Sequence, residues 1–238
     1  MRPTVLLFDI DGTLVSTPGC GRRALERAFS DRYGRTGVLQ GVHFGGMTDR
    51  ALVRQGLALI EEPTAGPTAE TVIDELLSAY VPLLEAEIAR TAEFRLHAGV
   101  VELLDALAAH AEMAIGLGTG NIRPGAHVKL AKLGIHERFP FGGFGCDHED
   151  RAEILRIGVA RGAALLGIDG GTCRVVVVGD TPRDVAAAQA IGAESLGVGT
   201  CGFTPETLRA SGASWAFTDL TEPAVLVALL GDGDRRKS

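Results

Sequence analysis

The 238-residue sequence predicts a doubly wound α/β fold, a parallel sheet with helices on both faces, carrying an all-helical module inserted after the first strand. Three observations predict it. Val5-Leu6-Leu7-Phe8 is an unbroken apolar run, as a strand buried on both faces requires, and Val175-Val176-Val177-Val178 is another. From residue 93 onward, strand-like and helix-like segments alternate, the rhythm of βα units in a parallel sheet. Between the first strand and that alternation, residues 16–92 show only helical patterning. Connections in α/β units usually run a few residues, so an excursion of this length has to fold as its own compact module. The expected division is a core of 1–15 with 93–238 and a helical cap of 16–92.

Each element has a local reason. The first strand stops at Asp9, and Gly12 in Asp11-Gly12-Thr13 lets the chain turn sharply. Within 21–32, Leu25 and Phe29 share a helix face and Gly34 follows as a stop. A second helix is expected from Thr48-Asp49, and a third over 68–90 after the Pro63 to Pro67 turn, with Pro82 predicting a kink or break. The core resumes with a helix over 100–110, a strand over 113–117 and a helix over 124–133 closed by Gly134. A short strand is expected within 139–144. A helix over 151–166 follows Asp147, Glu149 and Asp150, whose charge suits a helix amino end. Arg174 to Gly179 forms the clearest buried strand, Pro182 opens a helix that Gly192 ends, and 195–198 and 215–217 complete the sheet. The tail from Gly231 to Ser238 has no apolar anchor and is expected to fray.

Composition narrows the function. With 46% hydrophobic residues the chain can bury a substantial core, and a net charge of -7 argues against binding a nucleic-acid backbone. The amino-terminal apolar run is broken at Asp9, too short for a membrane span and unlike a secretory leader, so no membrane partner and a cytoplasmic location are expected. Cys20, Cys146, Cys173 and Cys201 are widely separated with no Cys-x-x-Cys pair, against a disulfide framework or a zinc site. Monomer and homodimer both stay open.

Three predicted strands end in polar residues at one edge of the sheet: Asp9 and Asp11, then Thr119-Gly120-Asn121, then Asp180 with Asp184. Open α/β sheets bind ligands at that edge. Clustered carboxylates repel one another unless a cation neutralises them, and a set of oxygen donors without cysteine or histidine suits a hard ion such as Mg2+. Asp9, Asp11 and Asp180 are the expected cage. Asp184, in the first turn of a helix, also suits simple capping.

These residues resemble the motifs of the haloacid dehalogenase superfamily with an inserted helical cap of the phosphoglycolate phosphatase-like kind, over nearly the full chain. Asp9-Ile10-Asp11-Gly12-Thr13-Leu14 matches the first motif, Thr119 the second and Gly179-Asp180-Thr181-Pro182-Arg183-Asp184 the fourth, in order. The resemblance implies that Asp9 is a nucleophile forming an aspartyl phosphate and that Asp11 protonates the leaving group and later activates water. It implies Mg2+ held by Asp9, the backbone carbonyl of Asp11 and Asp180, with Asp184 supporting the ion and Thr119 bonding a phosphoryl oxygen. Gly12, Thr13, Gly120 and Asn121 would line the phosphate site. The family's third motif usually supplies a lysine; here Arg151, opening a helix before Asp180, takes the matching position, with a surface arginine as the other reading. Gly45-Gly46-Met47-Thr48-Asp49-Arg50 resembles the substrate-facing loop of related caps, with Thr48 and Arg50 as donors or Thr48 as an ordinary helix cap.

The expected activity is a Mg2+-dependent phosphatase acting on a small phosphorylated metabolite, phosphoglycolate-like or a sugar phosphate. A sugar-phosphate mutase uses the same aspartates, and a silent binding protein on this scaffold is a third reading. A dehalogenase has no use for Asp11 or Asp180, and a phosphonate hydrolase needs a cap lysine, whereas no lysine precedes Lys129.

Overall fold

The structure is a computed structural model that describes residues 2–231. Thr4–Phe8 (β1) leads out to a two-residue strand, Val15–Ser16 (β2), and then to three helices: Cys20–Tyr33 (α1), Asp49–Leu59 (α2) and Pro67–Arg90 (α3). The chain returns through Arg95–Leu96 (β3), which pairs antiparallel with β2, Val15 opposite Leu96 and Ser16 opposite Arg95. The outgoing and returning crossings are thus hydrogen-bonded to each other. The remainder runs Val100–Ala108 (α4), Met113–Gly118 (β4), Arg123–Lys132 (α5), Gly142–Gly143 (β5), Arg151–Leu165 (α6), Arg174–Gly179 (β6), Pro182–Ala190 (α7), Glu194–Val198 (β7), Pro205–Ala210 (α8), Trp215–Phe217 (β8) and Pro223–Leu230 (α9).

Six strands form one parallel sheet in the order β5-β4-β1-β6-β7-β8. All five residues of β1 are buried. Leu6 and Phe8 feed the larger apolar core, while Val5 and Leu7 pack with Phe141, Leu155 and Val177 in a second one. Alternate side chains therefore enter different cores, which requires cover on both faces. Sheet order reverses direction at β1, with β4 on one side and β6 on the other, and this switch point is where such sheets open a crevice at their carboxyl edge.

Of the kink or break expected at Pro82, the break does not occur. α3 continues through Pro82 without interruption, because Ile73, Leu76, Leu77 and Tyr80 before it and Leu84 and Ile88 after it bury one apolar stripe. That shared burial outweighs the one backbone hydrogen bond a proline forfeits. The tail expected to fray falls, from residue 232, outside the described residues. No described helix is long and apolar enough to cross a membrane.

Candidate active site

Asp9 follows the last residue of β1, and its N–H donates to the Val178 carbonyl at 2.9 Å, so its backbone is fixed as part of the sheet. The next residues close a tight turn in which Gly12 N–H donates to Val15 O at 2.9 Å. Gly12 has φ 83°, and a Cβ there would overlap the Asp180 carboxylate, so only glycine fits. The Arg151 guanidinium, at the first position of α6, lies 2.8 Å from Asp9 Oδ2 and also pairs with Asp184 Oδ1. Asp150 caps that helix by accepting from the N–H groups of Ala152 and Glu153, which sets the arginine's position at the sheet edge.

Asp9, Asp180 and Asp184 each present a carboxylate oxygen within 4.8 Å of the others, and all three are buried. Thr13 Oγ1 donates to Asp180 Oδ1 at 3.2 Å. Asp184 Oδ2 accepts from the Thr181 N–H at 3.0 Å and hydroxyl at 2.8 Å, closing a capping box on α7. Burial pushes Asp180 up to about 9, with repulsion from Asp184 and Asp9 adding to it. Burial likewise raises Asp9 to about 6 against the opposing pull of Arg151. Arg151 is held still more firmly protonated, because the attraction of Asp184 and Asp9 exceeds the effect of burial. One guanidinium against three crowded carboxylates leaves a net negative, oxygen-only pocket, which fits a hard divalent cation.

Asp11 faces the other way. Both of its carboxylate oxygens accept from Lys129 Nζ at 2.7 Å, and Asn121 Nδ2 donates to Asp11 Oδ2 at 2.7 Å. Lys129 also donates to Asn121 Oδ1 at 2.5 Å and is 2% exposed, so a lysine of α5 is folded entirely into the site. Burial alone would raise the Asp11 carboxyl, but Lys129 and these hydrogen bonds carry it below its ordinary value. Thr119 Oγ1 accepts from the N–H and Nδ2 of Asn121, which leaves its own O–H free to donate.

The family of haloacid dehalogenase-like hydrolases matches residues 3–192 of the sequence. The chain belongs to that family. Among solved structures, this hydrolase is similar to CbbY from Rhodobacter sphaeroides in complex with phosphate, at 20% identity and a TM-score of 0.67, covering 95% of this chain and 99% of that one. It is similar to a predicted phosphoglycolate phosphatase from Haemophilus somnus at 19% identity, TM-score 0.63, covering 92% and 95%. A Thermotoga maritima protein described as a beta-phosphoglucomutase gives 20% identity and a TM-score of 0.59, covering 97% and 98%. No curated protein matches the sequence. At such identities the likenesses concern the fold.

The sequence-predicted residues divide in this hydrolase. Asp9, Asp11, Gly12, Gly120, Asn121, Arg151 and Asp180 all line one cavity of about 540 Å3 between the sheet edge and the three helices. Thr13 and Thr119 are fully buried behind its wall. Of the expected metal-site carboxylates, Asp9, Asp180 and Asp184 converge, while the Asp11 side chain pairs with Lys129. Of the two cap residues, Thr48 takes the helix-capping alternative and Arg50 makes ion pairs within the cap. Arg50 turns away from the cavity to pair with Glu70 and Asp74 of α3, each at 2.5 Å. Thr48 caps α2, its hydroxyl accepting from Ala51 N–H at 3.2 Å.

Asp49, between them, was not singled out by the sequence, yet it docks the helices on the core. Its N–H donates to Gly120 O at 2.9 Å and its Oδ2 accepts from Ile122 N–H at 2.8 Å. A Cβ on Gly120 would collide with Met47 O, so this glycine permits the approach. Arg54 of α2 adds an ion pair to Glu149 at 2.8 Å. Lys129 also went unassigned, since a lysine on an amphipathic helix carries no signal of burial; only the packing of Tyr80 and Leu84 over Gly125 of α5 encloses that helix.

Proposed function

We propose that this hydrolase is a Mg2+-dependent phosphatase that releases inorganic phosphate from a small phosphorylated metabolite, with the phosphoryl group carried on Asp9. The observation that carries this reading is the Asp9 carboxylate, fixed at the tip of β1, paired with Arg151 and crowded by Asp180 and Asp184 in the cavity at the sheet edge. Asp9, Asp180 and Asp184 would hold the ion, which supplies Lewis-acid withdrawal of charge from phosphoryl oxygens when bound.

The chain's own residues supply the rest. Arg151 steers the phosphoryl group to Asp9 and offsets the charge that builds on its oxygens. An Asp9 oxygen attacks phosphorus, the ester P–O bond breaks, and the leaving oxygen takes a proton from Asp11. In the second half Asp11, again a carboxylate, takes a proton from water, whose oxygen attacks phosphorus and frees Asp9 and phosphate. Lys129 holds Asp11 in the ionised form suited to this second half, so its grip has to loosen for the first. The Thr119 hydroxyl and the Gly120-Asn121 backbone bound the phosphoryl site. The helices of residues 16–92 act as a lid over the core, pivoting on the paired β2 and β3 and latched through Asp49.

Phosphate release from an aryl phosphate with and without Mg2+, for the parent protein and Asp9→Asn, tests this. Mg2+-dependent release that the substitution abolishes is expected; release by Asp9→Asn at the parent rate contradicts it.

A further inference from the structure

The part of the cavity above the phosphate site is built from cap residues, and its chemistry restricts the leaving group. Arg151, Lys129 and Arg22 line the cavity among the described residues, together with His43 and His97. Arg151 is paired with Asp9 and Asp184, and Lys129 with Asp11. Arg22 donates from its two terminal nitrogens to the Leu39 and Val42 carbonyls, each at 2.6 Å, and its guanidinium lies over the Phe44 ring, 4.0 Å from the centroid. Two of its donors thus fasten the 39–42 segment to α1. Arg22 keeps its charge, but both of its terminal nitrogens already hold carbonyl partners. Asp49, on the cavity wall, adds a carboxylate that repels a second anionic group.

Tyr80 and Asp49 each bring to this cavity a polar atom without a protein partner, as His97 does with its buried Nε2. Tyr80 is 1% exposed, yet its hydroxyl makes no hydrogen bond among the described residues. It borders the cavity beside Gly21, where an added Cβ would stand 3.3 Å from the hydroxyl oxygen. Buried tyrosine hydroxyls ordinarily find a partner. Asp49 commits Oδ2 to Ile122, while its Oδ1 accepts nothing from the described residues. Leu25, Leu52 and Phe44 supply apolar walls between them. A donor and an acceptor set in apolar surroundings match a neutral group carrying hydroxyls, as ligand sites of this kind place few polar groups among many apolar ones.

We propose that the substrate is a monophosphate ester of a small, uncharged, hydroxyl-bearing alcohol, its hydroxyls read by Tyr80 and Asp49, and that esters with a second phosphate or a carboxylate are rejected. This rests on the phosphatase reading above and narrows its substrate class. A polyol or sugar monophosphate fits; phosphoglycolate and bisphosphates do not.

The test compares kcat/KM of the full chain with Mg2+ on glycerol phosphate and a hexose monophosphate, on phosphoglycolate, on a hexose bisphosphate and on phenyl phosphate. The best hydroxylated monophosphate is expected to exceed phosphoglycolate and the bisphosphate by at least about tenfold, because a site built for hydroxyls leaves its polar atoms unpaired with other ligands. Tyr80→Phe, which keeps the ring in place, should lower the ratio of that ester to phenyl phosphate by about three- to tenfold, the worth of one hydrogen bond. A preference for phosphoglycolate or the bisphosphate overturns the inference while sparing the phosphatase reading. So does a Tyr80→Phe protein with an unchanged ratio. Turnover of none of the esters removes the phosphatase reading and this inference with it.

Discussion

The Arg151 guanidinium stands 2.8 Å from Asp9 Oδ2 and also pairs with Asp184, so one side chain at the start of α6 links the tip of β1 to the acidic turn after β6. Removing it leaves buried carboxylates without their counter-charge. Arg151→Met is expected to lower kcat by about 10²- to 10³-fold, the range seen when one transition-state donor is lost. It should also destabilise the metal-free protein by about 3–5 kcal/mol, as breaking a buried ion pair does. Arg151→Lys restores charge without the two-pronged fork, and steady-state kinetics should place it between the two. Equal kcat in all three proteins would show that Arg151 does not act on the phosphoryl group.

Lys129 should set the pH dependence of Asp11. Its charge is the largest influence holding the Asp11 carboxyl below its ordinary value against burial, so in Lys129→Met the carboxyl rises. Whichever limb of the kcat/KM profile reports Asp11 then moves to higher pH. An unshifted profile in a folded Lys129→Met protein would separate Asp11 from catalysis.

Asp49 carries a cost at neutral pH. Burial raises its folded value to about 6, above the unfolded one, so the folded state binds the proton more tightly and stability falls as pH rises toward that value. Asp49→Asn keeps an oxygen for Ile122 N–H and removes the charge. Urea unfolding should show it more stable than the parent by about 1–3 kcal/mol at pH 8, with the gain vanishing near pH 4. A gain independent of pH would contradict the assignment.

The acidic cluster makes a parallel prediction for the metal. Asp9 and Asp180 rise to about 6 and about 9, so the metal-free protein loses stability as pH increases through this span. Mg2+ binding must displace those protons, so its effect on Tm should grow from pH 6 to pH 8. Asp180→Asn should abolish most of that increment. A Tm insensitive to Mg2+ at both pH values would show that the folded protein does not bind the ion.

The strands and their polar tips could be read from the sequence because each rests on local signals: the runs ending at Asp9 and Asp180 announce buried parallel strands, and Gly12 announces the turn. Arg151 follows from the resemblance to the family's third motif, with its distance before Asp180 and its place at a helix start in support. What escaped depends on packing between distant segments. The burial of Lys129 follows from α3 lying over α5, and the Asp49 side chain rather than that of Arg50 bonds the core because of how α2 is rotated about its axis. Periodicity fixes a helix's apolar stripe but not which polar neighbour faces a cavity. The continuity of α3 through Pro82 is likewise a tertiary effect, set by the stripe it buries against its neighbours.

The central claim is that Asp9 carries the phosphoryl group. Rapid acid quench during turnover of a phosphate ester with Mg2+, followed by peptide mass spectrometry, measures this directly. The account predicts one added phosphoryl group on the peptide that contains Asp9, absent from Asp9→Asn and without Mg2+. Full turnover with no modified Asp9, or a phosphoryl group on another residue, would contradict it.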